Sequence, residues 1–456
     1  MNRTFFFDSA WLPEGWRRNV RIQVRAGVIE RLVADAAPVA GDERSAVVIP
    51  GLPNVHSHAF QRAMAGLAER LGPRGADDFW SWREVMYRFL ARMGPEDLEA
   101  IAAYAYADML EAGFTSVGEF HYLHRSPEGT LYDDPAELAL RHAAAADLTG
   151  IGLTLMPVFY ESSRFGGAPP EPGQRRFITD PDTFGTIVDR VRVHLGQSAH
   201  RNTGVAPHSL RAVTADHLQA LLRRYPHGPL HVHAAEQVKE VEDCLAFCGQ
   251  RPVEWLLCHA GVSARWCLVH ATHLTAKETM QLAASGAVAG LCPVTEANLG
   301  DGIFPAAAYR DASGRLAIGT DSHILLDAAG ELRQLEYSQR LLRRSRNVLG
   351  DRARPSTGES LYQAALSGGA QALALPVGAI AEGHRADFLI LDAEHPDLAG
   401  RGETAVIDTW VFAVGRPLIR DVIAGGRTVV GNRRHIDRDR IDTAYRRTLT
   451  RLLQGQ

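Results

Sequence analysis

His56 and His58 stand two residues apart in segment 48–59, after a short β-branched run and a bend that contains proline and glycine. Alternate residues of an extended segment point to the same side, so both imidazoles can face one point. Neutral imidazole is the commonest metal ligand in proteins. The pair therefore indicates half of a metal site, although His-x-His is a short pattern and the alternative is two polar residues that merely follow a strand.

Polar side chains also end three other apolar runs of the sequence. One run carries His231 and His233 with Glu236 just after it, another ends in His270, and a third ends in Asp321. In a barrel of parallel strands, the carboxyl ends of the strands form the face where sites are built, so these groups are expected to converge with the first two histidines. Three imidazoles and one carboxylate suit Zn²⁺ or Fe²⁺ and leave a position open for water.

A metal of this kind would lower the pKa of its water towards neutrality and generate hydroxide. Glu236 follows His233 by three residues and is well placed to carry a proton from the attacking water to a leaving nitrogen; the alternative is a surface or supporting carboxylate. No lysine ends a strand in the middle of the chain, so a second metal would lack a bridging ligand. The sequence predicts a site for one divalent ion.

The elements that must hold these residues follow a repeating pattern. From 50 to 375, apolar runs of four to eight residues alternate with helical stretches, and the run before His56 brings the strands to eight. This predicts an α/β protein with a (β/α)₈, TIM-like barrel. A doubly wound open sheet is the alternative, and no Gly-x-Gly-x-x-Gly after a strand favours it.

Both ends of the chain are rich in short strands. Segments 1–49 and 376–435 are expected to build one small β-sandwich domain beside the barrel, with 406–412 as one of its strands, and 436–456 is expected to be a C-terminal helix. The irregular stretch 160–180 contains Gly-Gly and Pro-Pro pairs and is a candidate lid or dimer loop.

Composition narrows the class of protein. The 456 residues carry a formal net charge of −4, 46% are hydrophobic and 22% are charged, which is typical of a soluble globular protein without nucleic-acid or membrane affinity. The N-terminus has no signal-peptide pattern, and no window approaches the roughly 18 apolar residues of a membrane span. Five cysteines without a Cys-x-x-Cys pair favour a reduced, cytoplasmic protein.

The order of these motifs resembles the amidohydrolase superfamily. The resemblance is carried by Pro50-Gly51 ahead of the two histidines, by the pairs His233-x-x-Glu236 and Thr320-Asp321, and by His270. The spacing from His233 to Glu236 is typical of the deaminase branch, and His231 has no glutamate at that spacing. The resemblance implies the metal ligands His56, His58, His233 and Asp321. It also implies catalytic roles for Glu236 as proton carrier, for His270 at the water or substrate, and for Asp321 in deprotonating the water, and it makes a homodimer the family-level expectation.

Two arginines suggest the kind of substrate. Arg83 and Arg211 stand in segments near the predicted barrel mouth, and guanidinium forks bind carboxylates through paired hydrogen bonds; structural ion pairs are the alternative. Segments 54–66, 79–83, 119–124, 206–211 and 233–237 resemble one subfamily, the formimidoylglutamate deiminases of histidine degradation. This resemblance implies a substrate with carboxylates and these substrate-binding residues: Gln61, Arg83, Tyr122, His208, Arg211 and His270. His121 either faces the site or packs beside it.

The resemblance implies a hydrolase that acts on a linear amidine. Metal-bound hydroxide would attack the amidine carbon of N-formimidoyl-L-glutamate, and N-formyl-L-glutamate and ammonia would form. The alternative is a deaminase of a purine, S-adenosylhomocysteine or a triazine on the same site. An imidazolonepropionase-like amide-bond hydrolase would release no ammonia, and a non-catalytic barrel would lack some of the ligands and the proton carrier.

Overall fold

The computed structural model describes residues 2–71, 79–196 and 198–454, with the side chains of Phe79 and Trp80 left out. Met1, residues 72–78, Gln197 and residues 455–456 of the regions predicted above lie outside the described residues. The strands are β1 (Asn2–Leu12), β2 (Gly15–Arg25), β3 (Val28–Val33), β4 (Glu43–Pro50), β5 (Leu52–Ser57), β6 (Phe114–His121), β7 (Gly152–Phe159), β8 (Arg201–Thr203), β9 (Ala206–Pro207), β10 (Leu230–Ala234), β11 (Trp266–His270), β12 (Val288–Leu291), β13 (Arg315–Ile318), β14 (Phe388–Leu391), β15 (Ile419–Ala424), β16 (Arg427–Gly431) and β17 (Arg434–His435).

The helices lie mostly between the middle strands. They are α1 (Phe79–Leu90), α2 (Pro95–Glu111), α3 (Glu137–Thr149), α4 (Pro181–Leu195), α5 (Ala215–Arg224), α6 (Val238–Cys248), α7 (Pro252–His259), α8 (Ala276–Ser285), α9 (Pro293–Leu299), α10 (Ala306–Asp311), α11 (Ala328–Arg343), α12 (Thr357–Leu373), α13 (Val406–Thr409) and α14 (Arg438–Leu453). Among these described helices, none is long and apolar enough to cross a membrane.

The strands β5 to β13 form a closed parallel barrel. They pair as two arcs, β5-β6-β7-β8 with β9 beside β7, and β10-β11-β12-β13. Parallel bridges from Val205 to Leu230 and from Ser57 to Asp321 join the two arcs at both seams. Most of these strands are buried along their whole length, as expected for a parallel sheet covered by helices. The predicted (β/α)₈ barrel is confirmed.

Both chain ends contribute to one mixed sheet of eight strands, in the order β17-β16-β15-β14-β4-β1-β2-β3. β4 sits at the centre because it pairs in parallel with β1 and antiparallel with β14. Phe388 packs edge to face against Phe5 and Phe7 on one side of this sheet, with ring centroids 5.4 Å apart for each contact. Strands from the two ends of the chain therefore share one hydrophobic core.

The strand predicted over 406–412 is wrong, because this segment is helical: α13 is followed by a π-helical turn over Trp410–Val414. Ile407, Trp410 and Val411 are buried and follow the three- and four-residue spacing of a helix face. Trp410 packs edge to face against Tyr362 of α12, with ring centroids 5.3 Å apart. The β-branched residues of the segment favoured a strand, but the spacing of its buried residues determined the structure.

Arg385 ties the mixed sheet to the barrel. Its side chain is 3% exposed and donates hydrogen bonds to the carbonyls of Thr115 at 3.0 Å and Gly150 at 2.8 Å, which precede or begin barrel strands. It also pairs with Asp387 at 2.6 Å, beside β14.

We expect Arg385→Ala to lower the free energy of unfolding by about 3–5 kcal/mol, because it leaves the buried carboxylate of Asp387 without its partner. Urea unfolding followed by circular dichroism measures the change. Arg18→Ala is the matched control, since the Arg18 side chain is 73% exposed and its ion pair is expected to contribute little. Equal midpoints for both variants would contradict a structural role for Arg385.

Candidate metal centre and active site

The end of β5 places His56 and His58 against Asp321, which follows β13. The backbone NH of Asp321 donates to the carbonyl of His56 at 2.9 Å, and the NH of His58 donates to the carbonyl of Asp321 at 3.0 Å. Asp321 has a positive φ of 47°, which turns its carboxylate across the mouth of the barrel. Its Oδ1 lies 3.5 Å from Nε2 of His56 and 3.3 Å from Nε2 of His58.

His233 at the end of β10 completes a group of three imidazoles whose nitrogens lie within 4.8 Å of one another. Its Nδ1 lies 3.2 Å from the carbonyl of His208, and Nδ1 of His58 lies 3.0 Å from the carbonyl of Phe120. A proton on each Nδ1 satisfies these carbonyls and leaves each Nε2 with a lone pair. His231 lies deeper in the barrel, and its Nε2 binds the carbonyl of Ala372 at 2.8 Å.

One divalent cation fits among four of these side chains, namely His56, His58, His233 and Asp321. Burial lowers the pKa of His56, His58 and His233, so the imidazoles stay neutral, the form that binds metal. The Nε2 atoms of His56 and His58 are only 3.1 Å apart, so one ion can contact both. Three imidazoles and one carboxylate could hold Zn²⁺ or Fe²⁺.

His270 ends β11 beside this group. Its Nδ1 lies 3.2 Å from Oε1 of Glu296, and its Nε2 lies 3.7 Å from Oε1 of Glu236 and 3.6 Å from Oδ2 of Asp321. Burial lowers the pKa of His270, but the charge of Glu236 and the hydrogen bond to Glu296 outweigh it and raise the pKa well above the usual value. The imidazole can therefore donate a hydrogen bond to an oxygen that gains negative charge.

Glu236 lies in the loop after β10 and lines the cavity at the barrel mouth. Its backbone NH donates to Oε2 of Glu240 at 3.0 Å, which fixes the turn that carries it. Burial raises the pKa of Glu236 above that of an ordinary carboxyl, so its carboxylate accepts a proton more readily. Glu240 and Glu296 support the site but were not predicted. Glu240 stands four residues after Glu236 and Glu296 four after Cys292, a spacing that lets each carboxylate accept from the backbone NH of that loop residue.

The same cavity brings together five of the six residues predicted on the substrate side, Gln61, Arg83, Tyr122, His208 and Arg211, whereas His270 is not among its lining residues. Nε2 of Gln61 donates to the hydroxyl of Tyr122 at 3.0 Å. Nη1 of Arg211 is buried and has no hydrogen-bond partner among the described residues. A buried guanidinium with a free N–H suits a carboxylate from a ligand. Nη2 of Arg83 lies 3.7 Å from Oε2 of Glu171.

The walls of the cavity include residues that the sequence did not indicate, among them Met86, Tyr87, Tyr160 and Phe177. Phe177 belongs to the irregular stretch 160–180, which also packs Gly173 against the ring of Tyr87. These residues have no motif of their own, because they reach the cavity from α1 and a long loop. His121 is buried next to His124 and His142, with ring centroids 5.2 and 4.9 Å away, and is absent from the cavity lining.

Behind the metal-ligand group lies a buried polar network centred on Glu119 of β6. Oε2 of Glu119 accepts from the hydroxyls of Ser57 at 2.5 Å and Tyr106 at 3.1 Å, and Oε1 accepts from the NH of Ala59 at 2.9 Å. The hydroxyl of Ser57 also lies 3.0 Å from Nε2 of His323. Burial raises the pKa of Glu119 to about 8. The network therefore fixes the residues that flank His58 on both sides.

Comparison with known families gives a match to the amidohydrolase family over residues 47–429. The chain belongs to the amidohydrolase family. Residues 3–46 of this amidohydrolase match the N-terminal domain of formimidoylglutamate deiminase. The formimidoylglutamate deiminase of Pseudomonas aeruginosa is 50% identical over 450 residues, which are 98% of this chain and 99% of that protein. The predicted family membership is confirmed.

Solved structures agree with this assignment. The crystal structure of an amidohydrolase from Brucella melitensis matches this amidohydrolase with a TM-score of 0.95 and 51% identity, over 99% of this chain and 100% of that one. A zinc-bound adenosine deaminase from Xanthomonas campestris shares the fold at 24% identity, with a TM-score of 0.82 and 98% coverage of both chains.

More distant relatives are also found by sequence. A 5-methylthioadenosine/S-adenosylhomocysteine deaminase of Haloquadratum walsbyi is 26% identical over 91% of this chain and 88% of that protein.

We expect Glu119→Ala to weaken Zn²⁺ binding by about 10–100-fold, because residues that orient metal ligands from behind typically contribute this much to affinity. Competition with a chromophoric chelator measures the affinity directly. Glu119→Gln keeps an acceptor for the NH of Ala59 and should stay within about threefold of the unchanged protein. Equal affinities for the alanine variant and the unchanged protein would contradict a positioning role for this network.

Proposed function

We propose that this amidohydrolase hydrolyses N-formimidoyl-L-glutamate to N-formyl-L-glutamate and ammonia. One arrangement supports this reaction best: a single cavity is lined at one end by histidines of the three-imidazole group and at the other by Arg211, whose buried Nη1 has no hydrogen-bond partner among the described residues. A linear substrate with an amidine at one end and carboxylates at the other fits this polarity. The relative that is 50% identical over nearly the whole chain carries the name of this activity.

His56, His58, His233 and Asp321 are the proposed ligands of one divalent ion. Zn²⁺ is proposed first, because zinc commonly takes histidine and carboxylate ligands while it keeps a position open, and Fe²⁺ is the alternative. When bound, the ion would supply Lewis acidity and lower the pKa of a water molecule at the barrel mouth.

Glu236 is the proposed proton carrier. It accepts a proton from the attacking water as the oxygen bonds to the amidine carbon, with Asp321 as a second acceptor beside the same space. It then delivers a proton to the terminal nitrogen, the carbon–nitrogen bond breaks, and ammonia leaves as the carbonyl of the formyl group forms. Nε2 of His270 lies 3.7 Å from Oε1 of Glu236 and 3.6 Å from Oδ2 of Asp321, and it is proposed to donate to the oxygen while negative charge develops on it.

Arg83 and Arg211 are proposed to bind the carboxylates of the substrate, with Gln61, Tyr122 and His208 completing the recognition surface. A guanidinium binds a carboxylate through two parallel hydrogen bonds, which also fixes its orientation. His208 holds His233 through its carbonyl and presents its ring to the cavity, so it joins the recognition end to the metal end.

A cytoplasmic homodimer that binds neither nucleic acid nor membranes is the form we propose for the protein. The five cysteines are free, which is compatible with a reducing compartment. The net charge of −4 gives no field that would attract a polyanion.

We expect the metal-loaded protein to release one ammonia for each N-formimidoyl-L-glutamate consumed, and Glu236→Gln to lower kcat by about 10²–10⁴ because the proton carrier is lost. A coupled ammonia assay and elemental analysis of the same samples measure both properties. The glutamine variant should keep its metal ion, since Glu236 is not among the proposed ligands.

Turnover of a purine, S-adenosylhomocysteine or a triazine, with none of formimidoylglutamate, would favour the alternative deaminase on this site. Hydrolysis of a cyclic amide such as imidazolonepropionate, with no release of ammonia, would instead favour an amide-bond hydrolase.

We expect Arg211→Ala to lower kcat/KM for formimidoylglutamate by about 30-fold or more, because a desolvated charged contact is lost. Arg223→Ala is the matched control, since Arg223 is exposed on the neighbouring helix α5. N-formimidoyl-4-aminobutyrate and N-formimidoyl-2-aminobutyrate each lack one of the two carboxylates. The analogue without the carboxylate that Arg211 holds should lose almost nothing further in the variant, and an equal loss for all three substrates would contradict carboxylate binding by Arg211.

A further inference from the structure

A second group of ligand-type atoms lies beside the proposed metal centre. Glu236, His270 and Asp301 each present one nitrogen or oxygen atom, and these atoms lie within 4.8 Å of one another. Asp301 stands between Gly300 and Gly302, whose φ angles of 71° and 132° form the tight turn after α9. This turn brings a carboxylate from the loop after β12 to the loop after β10.

Two of these atoms are buried without a partner. Asp301 is 4% exposed and His270 is fully buried, yet Oδ2 of Asp301 and Nε2 of His270 have no hydrogen-bond partner in the described ranges. The other atoms of both groups are fixed, since Glu296 holds Nδ1 of His270 and Nε2 of Gln237 donates to Oδ1 of Asp301. Buried polar atoms in native proteins are usually satisfied, so two unsatisfied atoms on neighbouring side chains of one such group point to a missing ligand.

The charge of the region identifies that ligand as a cation. Glu236, Glu296, Asp301 and Asp321 surround His270, and burial together with the charge of Glu236 raises the pKa of Asp301. A divalent ion on the three-histidine group and Asp321 leaves one positive charge, and His270 supplies at most one more, against the three carboxylates of Glu236, Glu296 and Asp301. One imidazole and two carboxylates form a donor set that Zn²⁺ accepts.

Asp321 lies between the two groups. Its Oδ1 faces His56 and His58 at 3.5 and 3.3 Å, while its Oδ2 faces Nε2 of His270 at 3.6 Å. The same carboxylate can therefore contact an ion on either side. The second position offers one imidazole and two carboxylates, against the three imidazoles and one carboxylate of the first, so it has fewer strong ligands.

We propose that Glu236, His270 and Asp301 form a second, weaker site for a divalent cation, and that its occupation inhibits the enzyme. An ion there would displace the proton from Nε2 of His270 and bind the carboxylate of Glu236, so neither group could exchange a proton with water or substrate. Inhibition would then appear only when the metal exceeds one equivalent. The inhibitory half of this inference rests on the proposed function, whereas the binding half does not.

The test starts from protein that holds one equivalent of Zn²⁺, titrated with further Zn²⁺ under equilibrium dialysis with elemental analysis. We expect a second equivalent with an affinity about 100-fold or more below the first, because the second site has fewer strong ligands. Ammonia release from formimidoylglutamate should fall as that equivalent binds. Asp301→Asn should lose both the second equivalent and the inhibition, while it keeps the first equivalent and its basal activity.

Asp311→Asn is the matched control, because it makes the same substitution at an exposed position of α10 close by in sequence. Glu236→Gln, used only in the dialysis arm, should also lose the second equivalent. A single equivalent for the unchanged protein up to about 1 mM Zn²⁺, or an unaltered second equivalent in the Asp301→Asn variant, would overturn the site. Full activity with two equivalents bound would overturn the inhibition, and two equivalents with no turnover at any zinc level would refute the proposed function while leaving the site intact.

Discussion

The seam between β5 and β13 is the constraint on which the rest of this structure depends. Here the first and last strands of the barrel meet, and backbone hydrogen bonds between His56, His58 and Asp321 hold them together. Because the bonded residues are themselves the proposed ligands, the closure of the barrel and the assembly of the metal centre are the same event. The buried network of Ser57, Glu119 and His323 strengthens this seam from the outer side.

Charge divides the cavity into two ends. Carboxylates surround His270 at the strand ends, and the guanidinium groups of Arg83 and Arg211 lie towards α1 and the loop after β9. A substrate with a cationic amidine at one end and carboxylates at the other is complementary to this arrangement, because its cation meets the carboxylates of the cavity and its anions meet the arginines. Such a molecule would be oriented by the field of the cavity before any single contact forms.

The sequence predicted the parts of the site that stand at the ends of apolar runs. His56, His58, His233, His270 and Asp321 end apolar runs, and the barrel converts that shared position into proximity in space. Their roles remain predictions, but the structure does bring them together. Glu119, Glu296 and Asp301 gave no comparable signal, because they act through contacts between elements far apart in sequence. The prediction of a strand over 406–412 was wrong for a related reason. The apolar residues of this segment fit the spacing of a strand as well as that of a helix, and the packing of Trp410 against Tyr362 of α12 favours the helix.

The histidines of the metal centre lie at the ends of strands, whereas much of the recognition surface lies on α1, on stretch 160–180 and on the loop after β9. Loops and surface helices tolerate substitutions and insertions that a packed barrel does not. Evolution could therefore replace the recognition surface piece by piece while the catalytic end stayed unchanged. Some relatives are named for quite different substrates, such as the 5-methylthioadenosine/S-adenosylhomocysteine deaminase at 26% identity. Such divergence is expected where the catalytic residues and the recognition residues lie on different elements.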